Sequence, residues 1–277
     1  MPFFAVPKII INYFFIPSIY LFSTAPHPHQ AVSKQQHFLT SLSFKKLPSP
    51  PFVFSFIFIF YTTSLFQLLL YFFNFSTMVK IFVITYSTYG HINKVAESIV
   101  KGLQKTGVEV GRYQIAETLS EDILTKMHAP PKPDLPTIVA SQLPEADGYL
   151  FGFPTRYGTA PAQVKAFFDS TGQLWAKQAL LGKPAGFFFS TASQHGGQEV
   201  TVFTSLPILA HHGMIFVPFG YAHPYLFDNS EVIGGSAWGA GTIADGDGSR
   251  QPSEKELAIA EAQGESFAKV ATKLAAA

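Results

Sequence analysis

Residues 78–103 read MVKIFVITYSTYGHINKVAESIVKGL. The stretch holds three patterns in succession. Lys80–Tyr86 (KIFVITY) is a continuous apolar run, as in a strand buried on both faces. The turn STYGH follows. Ile92, Val95, Ala96, Ile99 and Leu103 then recur at helical spacing on one face, and Gly107 stands where a helix C-cap belongs. A buried strand, a hydroxyl-rich turn and an amphipathic helix form the opening unit of a parallel α/β sheet.

The same alternation continues to the end of the chain. Glu109–Gln114 reads as a second strand, DGYLFGFP (147–154) as a third, AGFFFST (185–191) as a fourth and GMIFVPFG (213–220) as a fifth. Between them fall a helix over 161–171, with Val164, Phe167 and Phe168 as its stripe, and another over roughly 199–211. The last helix opens at Ser253, with Glu256 three residues on as a capping box. Five buried strands alternating with helices predict an α/β, doubly wound five-stranded parallel sheet. Ligands of such sheets bind at the carboxyl ends of the strands, at the topological switch point.

Composition changes abruptly at Met78. Residues 1–77 contain four lysines, no arginine, no acidic residue and no glycine, yet hold 16 of the 29 phenylalanines. The remainder carries 15 basic and 18 acidic residues, so the overall charge of +1 averages two unlike pieces. A mildly acidic body without a basic run argues against nucleic acid as a partner. The absence of cysteine rules out disulfides, thiolate catalysis and cysteine-ligated metals, and fits a cytoplasmic protein.

Residues 52–75 are uncharged and long enough for a bilayer-spanning helix, with Lys45 and Lys46 on one flank. Membrane association rests on that segment alone. The competing reading is that residues 1–77 are not native protein, since T-rich non-coding DNA translates into such Phe/Ser/Leu/Ile/Tyr strings. A targeting segment is the third reading. The apolar run is too long and too far in for a secretory signal, and a mitochondrial presequence would need arginines. The expected organisation is thus an extension over 1–77 and one domain over 78–277.

Three loops at expected strand ends are rich in hydroxyls and glycines: 87–92, 154–158 and 190–198. In the first, Ser87, Thr88, Tyr89 and Gly90 precede a helix N-terminus, where amides and the helix dipole favour a phosphate dianion. It lacks both the Lys-Ser/Thr pair of a nucleoside-triphosphate loop and a G-x-G-x-x-G run, which suits a monophosphate held by neutral donors; a plain capped turn is the alternative. In the second, Thr155, Arg156 and Tyr157 can border a flat ring, or form a Pro/Gly turn with a surface arginine. In the third, Gly196 and Gly197 permit close backbone approach, and His195 either faces the ring or faces solvent. His211 and His212 point about 100° apart on a helix and make a poor shared metal site; no metal is expected. Trp175 either roofs an aromatic substrate or is buried. No Ser-His-Asp order, HExxH or carboxylate pair stands out. The chemistry is then left to a cofactor, and a flat, phosphate-bearing one at the switch point of a five-stranded sheet points to FMN.

The runs YSTYGHI, GFPTRYG, DSTGQLWA, GGQE, LAHHGM and GGSAWGAGTIADGDGSRQPS resemble the WrbA-type NAD(P)H:quinone oxidoreductases. The resemblance spans essentially the whole chain after Met78. It implies a flavodoxin-like sheet of order 2-1-3-4-5 with an insertion near the fifth strand, about residues 221–252. It implies an FMN phosphate loop of Ser87, Thr88, Tyr89, Gly90, His91 and Ile92, and a ring border of Pro154, Thr155, Arg156 and Tyr157. The polar edge of the ring would meet Ser190, Thr191, Ala192, Ser193, Gln194, His195 and Gly196. His211 would reach the FMN site, Tyr89 would lie near the nicotinamide, and Trp175 would wall the substrate pocket. STASQHGGQE departs from the family's Gly-rich fourth loop at residues 192–195. The implied activity is ping-pong: hydride from NADH or NADPH to flavin N5, then two electrons to a quinone, in oxidative-stress protection and in a homotetramer. Rival readings are an electron-carrier flavodoxin, disfavoured by the modest acidity and the insertion, and a membrane-associated scaffold protein.

Overall fold

The computed structural model describes residues 78–276. The readings of residues 1–77, including the candidate membrane segment 52–75, lie outside them. Among the described residues no helix is long and apolar enough to cross a membrane.

Strands β1 (Lys80–Thr85), β2 (Glu109–Gln114), β3 (Gly148–Pro154) and β4 (Pro184–Thr191) are parallel. Two short strands, β5 (Ile215–Phe216) and β6 (Gly241–Ile243), both pair with β4. The order is β2-β1-β3-β4-β5, with β6 also on β4. The pleat explains how an all-apolar strand serves this sheet. Ile81 and Val83 join one core, with Leu150, Phe188, Ile99 and Phe267. Phe82 and Ile84 join the other, with Phe151, Phe153, Phe187 and Phe168. Gly152 makes room for this packing, because a Cβ there would stand 2.0 Å from the ring of Phe188.

Helices α1 (His91–Lys105), α2 (Glu121–Lys126), α3 (Ala162–Asp169), α4 (Gly172–Ala176), α5 (Gln198–Phe203), α6 (Leu206–His212) and α7 (Glu254–Ala275) complete the layers. Residues Ala140–Glu145 form a 3-10 turn before β3. α1 and α7 cross closely: a Cβ on Gly102 would lie 1.9 Å from the Glu261 carbonyl oxygen. The capping box at Ser253 and Glu256 is present.

Three elements differ from the sequence expectation. The helix expected over 199–211 is two, because Pro207 has no N–H to offer a continuous helix and starts a new one. The helix expected over 161–171 ends at Asp169, and α4 follows it. The fifth strand is split rather than continuous over 213–220. Val217 N still donates to Ala185 O, but Pro218 cannot extend the ladder. The chain leaves the edge of β4 there and returns as β6, so the insertion interrupts the fifth strand. In the gap the side chain of Gln263 does the pairing: its Nε2 donates to Phe187 O at 2.9 Å and its Oε1 accepts from Ala240 N at 2.8 Å.

Candidate functional site

A cavity of about 570 Å³ opens at the carboxyl ends of the strands, the size of a small-molecule site. Ser87, Thr88, Tyr89 and His91 line it from the loop after β1, Pro154, Thr155 and Arg156 from the end of β3, and Ser190, Thr191 and Ala192 from the end of β4. Three loops distant in sequence thus meet where the sheet order reverses.

The first loop is built as an anion cradle. Gly90 caps α1 with φ +90°, a conformation that costs any residue with a Cβ. Its N–H donates to Ser87 Oγ at 2.9 Å, and its carbonyl accepts from Asn93 N and Lys94 N. The N–H groups of Thr88, Tyr89, His91 and Ile92 have no hydrogen-bond partner among the described residues. A helix N-terminus with orphan amides beside a cavity favours negative charge. Arg156 adds a cation on the cavity wall, its guanidinium donating to Thr88 Oγ1 at 3.2 Å and to Thr155 O at 2.9 Å.

The other two loops are locked to one another. Thr155 Oγ1 accepts from Gly158 N at 3.1 Å and from Thr201 Oγ1 at 2.8 Å. Thr155 N donates to Ser190 O, and Thr191 Oγ1 donates to Ser193 O. Such side chains are held before any ligand arrives, which limits the entropy lost on binding.

The remaining candidates are placed elsewhere in this chain. Ile92 is buried in the core under α1, and Gly90 contributes its backbone turn. Tyr157 has φ +54° and is fully exposed. Ser193, His195 and Gly196 do not line the cavity, and Gln194 borders a separate polar depression with Asp228 and Glu231. His211 is exposed at the end of α6, which runs back to the amino end of β5. Trp175, 57% exposed, lies on α4, and its backbone N–H donates to the carbonyl of Thr171, whose Oγ1 is 2.8 Å from His212 Nε2.

Two wall segments were not anticipated. Met127 and His128 close one side, and Ala244, Asp245, Gly246, Asp247 and Gly248 close another. The run ADGDG carried a usable signal, two glycines and two aspartates in a turn-forming order. Its meaning depended on GTI before it being a strand, which three residues in a long insertion do not announce.

A parallel sheet of order 2-1-3-4-5 with a cavity at its switch point defines a flavodoxin-like protein. A model described as NADPH-dependent FMN reductase matches residues 79–224. The chain is 53% identical over 197 residues to the quinone-oxidoreductase QR2 of Triphysaria versicolor, covering 70% of this chain and 96% of that protein. It is 55% identical over 198 residues to the NAD(P)H quinone oxidoreductase YCP4 of Candida albicans, covering 70% and 69%. It is 53% identical over 194 residues to PST1 of the same organism, covering 70% and 98%. The chain belongs to the NADPH-dependent FMN reductase family and is similar to its NAD(P)H quinone oxidoreductases.

Proposed function

We propose that this chain holds FMN in the cavity and reduces quinones to hydroquinones, with NADH or NADPH as electron donor. The observation that carries the reading is the set of amides at Thr88, Tyr89, His91 and Ile92 that have no partner among the described residues, in the loop and helix start whose Thr88, Tyr89 and His91 line the cavity at the switch point. They suit a phosphate monoester, and the cavity lined by residues 154–156 and 190–192 leaves room for a ring system. Bound FMN would supply reversible hydride acceptance at N5. The chain's own task is then to bind, orient and exclude water. The amides and Arg156 meet the phosphate, and the interlocked Thr155 and Ser190 loops hold the ring's border. Quinone as substrate is supported by the names of the relatives.

Tyr89, which is 46% exposed and lines the cavity, is our candidate to meet the nicotinamide. His211 and Trp175 stand away from the cavity of their own chain, so their place in a site calls for a neighbouring subunit. Exposed Trp175, Leu181, Val200 and Phe203 supply apolar surface for the homotetramer we propose. We also propose that residues 78–277 are the flavin-binding unit, that the protein is cytoplasmic, in keeping with its lack of cysteine, and that it protects against oxidative stress.

The test is an absorption spectrum of the purified chain with FMN, followed by NADH- and NADPH-dependent benzoquinone reduction. A protein that stays colourless in excess FMN sinks the reading. A flavin-loaded protein without quinone turnover removes the reductase activity and keeps the binding.

A further inference from the structure

Beside the amide cradle lies a charged network that reaches the cavity lining through Ser87. Lys132 Nζ donates to Ser87 O at 2.9 Å and pairs with Glu117 Oε2 at 2.8 Å. The same ammonium sits 4.8 Å from the centre of the Tyr86 ring. Glu117 is held in turn: its Oε1 accepts from Thr118 N, Leu119 N and Gln163 Nε2, and its Oε2 accepts from Tyr86 Oη at 3.0 Å. The carboxylate side chain is 16% exposed and the lysine 28%. A fully engaged network of this kind is rigid, since each member holds the next.

The carbonyl of Ser87 and the N–H of Thr88 belong to one peptide unit. In a planar trans peptide these two groups point in opposite directions. Holding the carbonyl against Lys132 therefore turns the Thr88 N–H away from the lysine, where it has no partner among the described residues. A charge-assisted bond to the carbonyl also polarises the unit and makes its N–H a stronger donor. Lys132 is itself neutralised by Glu117, so its effect is orientation and polarisation more than net charge.

We infer that Lys132, braced by Glu117, is a positioning residue that aims the Thr88 amide at the phosphate and so selects phosphorylated over unphosphorylated flavin. The inference rests on the FMN reading above. Without Lys132 the Ser87–Thr88 peptide is free to rotate, and the cradle loses one aimed donor. A ligand without a phosphate would not notice the change.

The experiment titrates the full-length apoprotein with FMN and with riboflavin, following quenching of flavin fluorescence, for wild type, Lys132→Met, Lys132→Arg and Glu117→Gln. Lys132→Met is expected to weaken FMN binding about tenfold and to leave riboflavin within about twofold. Lys132→Arg restores most of the loss, and Glu117→Gln shows a smaller FMN-selective loss, about threefold. Unchanged FMN affinity in Lys132→Met overturns the inference, and so does an equal loss for both flavins, which is what simple structural support would produce. Should Lys132→Met not fold, Glu117→Gln decides, and the absence of an FMN-selective loss there overturns it. A wild-type chain that takes up neither flavin sinks the FMN reading itself. A wild type that prefers FMN, beside variants that keep the same preference, removes only the role of Lys132.

Discussion

The imidazole Nε2 of His91 lies 3.0 Å from the carbonyl oxygen of Arg250. A carbonyl can only accept, so that nitrogen carries the proton. The bond ties the first turn of α1 to the loop after β6, two walls of one cavity separated by 159 residues in sequence. His91→Ala is expected to cost about 1–2 kcal/mol of stability and to loosen the 244–248 wall. Denaturant unfolding and hydrogen exchange at 244–250 are the measurements; unchanged protection there would remove the tie from the account.

Arg250 is anchored on its other side by Glu256. That carboxylate is completely buried and accepts from Ser253 N, Gly234 N, Thr242 Oγ1 and Arg250 Nη1, all within 3.2 Å. Glu256→Gln places an NH₂ among donors and leaves the Arg250 charge unpaired. A loss of about 3–5 kcal/mol is expected, read as a shift in the urea midpoint. The substitution reaches the cavity as well, because residues 244–250 hang between this anchor and His91.

At the crossing of α1 and α7, Gly264→Ala would set a Cβ 2.3 Å from Ile99 O, and Gly102→Ala one 1.9 Å from Glu261 O. Both obstacles are backbone, so the helices must separate. Each substitution should cost about 3 kcal/mol, lowering the melting temperature by about 6–12 °C. A drop of a degree or two would mean that the helices are less intimately packed.

Gly90 poses the opposite case. A Cβ there meets nothing within 4 Å, but φ is +90°. Gly90→Ala is strained without being crowded, at a cost of about 1–2 kcal/mol. The loop relieves that strain by turning its amides, so FMN affinity should fall at least about fivefold while the fold survives. Affinity equal to wild type would count against the amide cradle.

Two groups of the Lys132 network carry opposite pH signatures. Burial pushes the Glu117 carboxyl up, but the Lys132 bond and the amides of Leu119 and Thr118 outweigh it, leaving the group below the usual carboxylate range. Its contribution to stability is present above the unfolded value of about 4.3 and is lost as pH falls through the lower folded value. Burial, with the Glu117 charge adding to it, raises the Tyr86 phenol to about 12. Stability from that group is complete below about pH 10 and declines as pH rises toward 12. Unfolding curves of wild type, Glu117→Gln and Tyr86→Phe across pH would separate the limbs. Tyr86→Phe should remove a component of the tyrosinate absorbance near 295 nm that titrates well above the ordinary tyrosine range.

The segment MVKIFVITYSTYGH already contains the sheet, because a strand buried on both faces must be uniformly apolar and its successor must be a covering helix. Loops 87–92, 154–158 and 190–198 were legible as strand-end loops for the same reason, since strand ends can be located from periodicity; which of their residues line the cavity was not. The capping box at Ser253 was legible because it is local. The split fifth strand was not, as a two-residue and a three-residue strand carry no period; only β4 supplies their register. Nor were Met127, His128 and residues 244–248 as walls, or Lys132 as a partner of Ser87, 45 residues away. Local chemistry, set by neighbours along the chain, determines which segments become strands, helices and caps. Packing alone brings distant loops together, because parallel strands put every carboxyl end on the same edge. Which side chains meet there depends on contacts that no short stretch of sequence contains.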